Sequence, residues 1–86
     1  MVTLKRYWFS FDTVSGSPRL RLGCGVTAAS YADAVALLQR RLPAADIAAL
    51  TNCIEDIDVS TLDPDHILPN IGDITVPGIW FPLGLR

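Results

Sequence analysis

Apolar side chains recur at Tyr31, Val35, Leu38 and Leu42, in steps of four, three and four, with Ala34 beside them. That spacing puts them on one side of a 3.6-residue helix and predicts a helix over residues 30–42 with one face made for burial. Ser30 can accept a hydrogen bond from the Asp33 N–H, and the Asp33 carboxylate can reach back toward the Ser30 N–H at the positive end of the helix dipole. Arg40 and Arg41 meet the negative end, and Pro43, which has no N–H, ends the run.

The flanking stretches alternate with period two instead. In residues 2–12, Tyr7, Phe9 and Phe11 share one face and Leu4, Arg6, Trp8 and Ser10 the other, which predicts a first strand. Residues 13–18 gather Gly, Ser and Pro without an apolar pattern and read as a hairpin connection. Residues 19–28 alternate again, with Leu20, Leu22, Cys24, Val26 and Ala28 against Arg19, Arg21, Gly23, Gly25 and Thr27, and form the second strand. Two glycines on one strand face mark a bulge or a close approach. Either another part of this chain, such as the C-terminal tail, lies across them, or a ligand or partner segment docks there. The spacing is not that of a phosphate loop, because no Gly-Lys-Ser/Thr ending follows.

After the helix, residues 44–52 suit a short second helix, with Ile47 and Leu50 three apart. Residues 53–59 alternate as Cys53, Glu55, Ile57 and Val59 against Ile54, Asp56 and Asp58, and read as a third strand. The expected architecture is α+β: a small mixed sheet with a ββαβ core, a right-handed crossover and the main helix on one face. Residues 60–86 hold four of the six prolines. They are expected to be an irregular tail, with an interrupted edge strand over residues 74–82. Leu4, Trp8 and Ile54 on the second sheet face then need a cover, either this tail or another molecule.

Composition sets the frame for this pattern. The 86 residues make room for one domain, 1–86. Half are apolar and 19% charged, as in a folded globular chain. The net charge is −2, and the longest basic runs are the pairs Lys5-Arg6 and Arg40-Arg41. A phosphate backbone requires clustered cations, so nucleic acid is not an expected partner. No apolar run approaches the ~20 residues that cross a bilayer. The first residues alternate where a signal peptide is continuously apolar, so the expected location is cytoplasmic. Cys24 and Cys53 lack metal-ligand spacing and are expected to be small buried hydrophobes.

Candidate chemistry is sparse. His66 is the one histidine, with Asp63, Asp65 and Asn70 near it in sequence. Those residues could hold a metal or do acid–base work only if they converged, and in a proline turn they also serve as caps and turn formers. Glu55, Asp56 and Asp58 invite a paired-carboxylate reading, with Asp56 and Asp58 on one strand face, but with no sugar-binding groove in view a solvated strand face accounts for them better. No nucleophile elbow exists. No catalytic residue, metal or cofactor is therefore assigned. The sheet face away from the helix would combine Arg6, Trp8, Arg21, Asp56 and Asp58. Such a mixture of aromatic, arginine and carboxylate occurs at protein interfaces, and also as cross-strand ion pairs around a packed tryptophan.

Several stretches together resemble a group of small bacterial single-domain proteins of unassigned function. They are Tyr7-Trp8-Phe9-x-Phe11-Asp12, Gly23-Cys24-Gly25-Val26-Thr27-Ala28, and Ile54-Glu55-Asp56-Ile57-Asp58 followed by Leu62-Asp63-x-x-His66-Ile67-x-Pro69-Asn70-Ile71-Gly72 and Gly78-Ile79-Trp80-Phe81-Pro82. The resemblance implies a stand-alone bacterial domain and carries over no catalytic residue. Small acidic domains of this kind are often considered as toxin-neutralising immunity proteins. The leading expectation is a non-enzymatic domain that binds, as an inhibitor would, another protein, either through the sheet face with Arg6, Trp8, Arg21, Asp56 and Asp58 or through the loop from His66 through Asn70 to Gly72. The alternatives are a small enzyme or ligand-binding module using His66, Asp63 and Asn70, and a self-associating domain that forms a homodimer.

Overall fold

The computed structural model describes residues 3–12 and 22–81. Strands β1 (Lys5–Phe11) and β2 (Cys24–Ala28) precede helix α1 (Tyr31–Arg41), the short helix α2 (Ala44–Ala48) and strand β3 (Leu50–Glu55). Two 3₁₀ turns, Val59–Thr61 and Leu68–Asn70, lead to the last strand, β4 (Gly78–Phe81). The fold is α+β, with one four-stranded sheet in the order β3-β1-β2-β4.

Every neighbouring pair in that sheet is antiparallel. The sheet is therefore not mixed, as the crossover argument implied. Strands β2 and β3 do run the same way, but β1 lies between them and pairs with both, from Lys5↔Ala28 to Phe9↔Cys24 on one side and from Tyr7↔Glu55 to Phe11↔Leu50 on the other. The expected hairpin turn over residues 13–18 and the start of the second strand lie outside the described residues.

Helix α1 begins where the cap signal places it. The Ser30 hydroxyl accepts from the Asp33 N–H at 3.2 Å, and Arg40 and Arg41 occupy the last turn. Ala34, Leu38 and Leu42 are buried and Val35 half-buried, but Tyr31 is 48% exposed. Its ring leans on Tyr7 and Phe9, with centroids 6.4 and 6.0 Å apart, so it covers the margin of the core without entering it. Helix α2 is shorter than residues 44–52, because the chain joins the sheet at Leu50. Strand β3 correspondingly ends at Glu55, where the alternation had carried it to Val59. Asp56 turns the chain with φ 58°, a left-handed conformation that Asp tolerates better than most residues.

Two apolar cores result, one on each face. On the helix side, Tyr7, Phe9, Cys24, Val26, Ala34 and Leu38 pack together, as the odd positions of β1 and the even positions of β2 require. On the other side, Trp8, Ile67, Trp80 and Phe81 form a second cluster, with Ile57, Val59, Leu62, Ile71 and Ile74 packed against it. Ile57 and Val59 therefore face away from the helix, contrary to the strand reading, because the Asp56 turn carries them across the second face. Thr27, buried on that face, anchors the layer by donating to the Ile74 carbonyl at 2.7 Å.

Gly23 and Gly25 are the seats of this second core. A Cβ on Gly25 would collide with the Trp80 ring, and one on Gly23 would stand 2.7 Å from Trp8 and 2.8 Å from the Phe9 carbonyl oxygen. Indole rings from this chain lie across the glycine face, and the one over Gly25, Trp80, comes from the C-terminal stretch.

Candidate functional site

The second face carries a hollow at the β3 end of the sheet. Arg6 enters it from the β1 side turned away from α1. After the Asp56 turn, the Ile57 N–H donates to the Arg6 carbonyl at 2.9 Å and holds the chain against β1. Asp58 then starts the first 3₁₀ turn by accepting from the Ser60 N–H at 3.0 Å and from the Ser60 hydroxyl at 2.7 Å. Those two bonds hold the Asp58 carboxyl below its usual range, since they favour the charged form. Arg6, Asp56 and Asp58 thus line one hollow of about 440 Å³ together with Ile57, Val59 and Ile74.

Its electrostatics are open-ended. Arg6 forms no ion pair with either carboxylate. Its Nε is buried and finds no acceptor among the described residues. An unmade hydrogen bond of this kind costs on the order of 1–3 kcal/mol.

The other residues singled out in the sequence lie elsewhere. Trp8 is buried beneath the second face, with its ring centroid 5.8 Å from Trp80 and 5.5 Å from Phe81, and offers no surface to a partner. Arg21 lies outside the described residues. His66 stands in the turn before Leu68, its side chain 68% exposed, with Nδ1 3.0 Å from Asp63 Oδ2. Asp63 also accepts from the backbone N–H groups of Asp65 and His66, and these bonds, that of Asp65 first, hold it below the usual carboxylate range. The Asn70 amide donates to the His66 carbonyl at 3.1 Å. His66, Asp63 and Asn70 are thus tied to one another and to their own backbone, and none of them lines the Arg6 hollow.

A groove the sequence reading did not single out runs along the exposed flank of α1. Leu4, Ala36, Leu37 and Pro77 line it with Asp33 and Arg40, around a volume of about 480 Å³. It continues past Arg41 toward Gly78 and Ile79 at the head of β4. The available signal was the exposed Ala36 next to Leu37, which lies at the margin of the stripe that packs on the sheet.

Cys24 and Cys53 are free, the first buried and the second half-buried. Burial pushes the Cys24 thiol up to about 12, away from nucleophilic use. Among the described residues no three His, Cys, Asp or Glu side chains gather as a metal site would need. No helix among them is long and apolar enough to cross a membrane. Compared with protein-family models, curated proteins and solved structures, the chain finds no match in any of the three.

Proposed function

We propose that this chain is a non-enzymatic protein-interaction domain of the bacterial cytoplasm, an inhibitor or immunity-type protein that docks on another protein through the Arg6 hollow. The observation that carries the reading is the buried Arg6 Nε without an acceptor, in the same hollow as two solvent-facing carboxylates. A partner supplies an oxygen to the guanidinium and a cationic side chain to Asp56 and Asp58, while Ile57, Val59 and Ile74 provide the apolar contact that gives an interface its affinity. On this reading the ββαβ core is the scaffold, and the irregular proline-bearing stretch after β3 shapes the docking face.

The test removes charge without disturbing the turn. Asp56→Asn keeps a residue that accepts a positive φ, and Asp58→Asn keeps an oxygen for Ser60. Tagged wild-type chain and the Asp56→Asn/Asp58→Asn variant are used to capture proteins from a lysate of the native cell, and the retained proteins are identified by mass spectrometry. The expected result is a protein held by the wild type and lost from the variant. Identical sets from both would refute the role of the hollow.

A further inference from the structure

Helix α1 turns two stripes in different directions. Ala34 and Leu38 go to the sheet, while Asp33, Ala36, Leu37 and Arg40 line the groove on its outer flank. Ala36 is exposed, and Leu37 is half-buried against the helix-side core, so the open part of its side chain lies beside Ala36 between two opposite charges. Neither Asp33 nor Arg40 forms an ion pair among the described residues.

The outer stripe reads the same from both ends. The midpoint between Asp33 and Arg40 falls between Ala36 and Leu37, and the two charges stand about 10 Å apart along the axis. When two such helices are laid antiparallel about a two-fold axis, Asp33 of each copy meets Arg40 of the other. Leu37 of each then meets Ala36 of the other, a large side chain against a small one. A parallel arrangement would set Asp33 on Asp33 and Arg40 on Arg40, so the charges also select the direction.

We infer that the outer flank of α1 is the interface of a two-fold dimer, in which the occupant of the groove is a second copy of this chain. The open part of Leu37 of one copy rests on Ala36 of the other, with Leu4 and Pro77 bordering the contact, and an Asp33–Arg40 pair closes each end. This self-complementarity favours a second copy over an unrelated partner, which would need only one apolar anchor and no matching charge at the far end. An α1 of eleven residues buries less than a standard interface even with Leu4 and Pro77 added. The association is accordingly weak, with half-dimerisation between micromolar and millimolar protein.

Sedimentation equilibrium of the whole chain over that range is expected to show the mass rising from 9.3 kDa toward twice that value. Asp33→Lys and Arg40→Glu each turn two attractive contacts into repulsive ones and are expected to weaken the dimer by about tenfold or more. Combined in one chain they restore attraction with the signs exchanged, and the dimer returns. Leu37→Glu is expected to abolish it. Leu37 is half-buried, so the exposed charge variants carry the test should that substitution disturb the fold, which circular dichroism reports. A single-copy mass at every concentration, or a double reversal no tighter than the single ones, overturns the inference. So would a chain that stays single while decanoate shifts the Leu37 amide resonance, which would give the groove to a small apolar anion.

Discussion

The most exacting contact in the molecule is made by a residue with no side chain. Gly25 lies flat under Trp80, whose indole is wholly buried between that strand and the Trp8 ring. Even a methyl group would have to displace a ring locked on its far side, and overpacking of that kind costs about 1–3 kcal/mol. Gly25→Ala is therefore expected to lower the urea midpoint by an amount in that range with the m-value unchanged. Trp80 already bears one cost, since its Nε1 is buried with no acceptor among the described residues. The large indole area repays it only while the glycine seat stays empty.

Among the elements, β3 is the one most exposed to error. It forms one margin of the sheet, and Ile54 on it is 47% exposed. A free sheet margin invites another strand, and here Asn52 partly blocks it, because its side-chain oxygen accepts from the N–H of Cys53 at 2.9 Å. Asn52→Val removes that acceptor and raises strand propensity. Light scattering is expected to show this variant forming larger assemblies that Leu37→Glu does not suppress. The contrast between α1 and β3 also explains how much of the fold was legible. In α1 the apolar period, the Ser30 cap and the Pro43 stop agree, and the helix lies where they put it. In β3 only alternation was available, and Cys-Ile-Glu-Asp-Ile-Asp-Val alternates on paper past a turn that is set by the backbone of Asp56. The candidate site was half legible for the same reason. Arg6, Asp56 and Asp58 do meet in one hollow, but across a turn and a 3₁₀ cap, which no strand period reports. For Trp8 the alternation leaves both a surface and a packed position open, and the structure gives the packed one, under Trp80 and Phe81.

At the scale of the whole molecule, one sheet is closed on both faces, by helices on one and by residues 57–77 on the other. Both closures depend on β1, whose Tyr7, Trp8 and Phe9 are buried in succession. Stability should therefore follow the protonation of groups buried beside it. The Cys24 thiol is pushed up to about 12 by burial, against about 8.5 in an unfolded chain. A group that holds its proton better when folded adds stability below its unfolded pKa and loses it as pH climbs toward its folded one. Burial shifts Tyr7 and Cys53 in the same direction. The melting temperature is expected to fall steadily above about pH 8.5, and more gently in Cys24→Ala, as a pH series by calorimetry would show.

Both tryptophans of the chain lie in the layer opposite α1. Native emission therefore reports on one half of the protein alone. The helical half is silent in that channel and visible chiefly in far-ultraviolet dichroism, so the two optical signals act as separate witnesses to whether the cores come apart together.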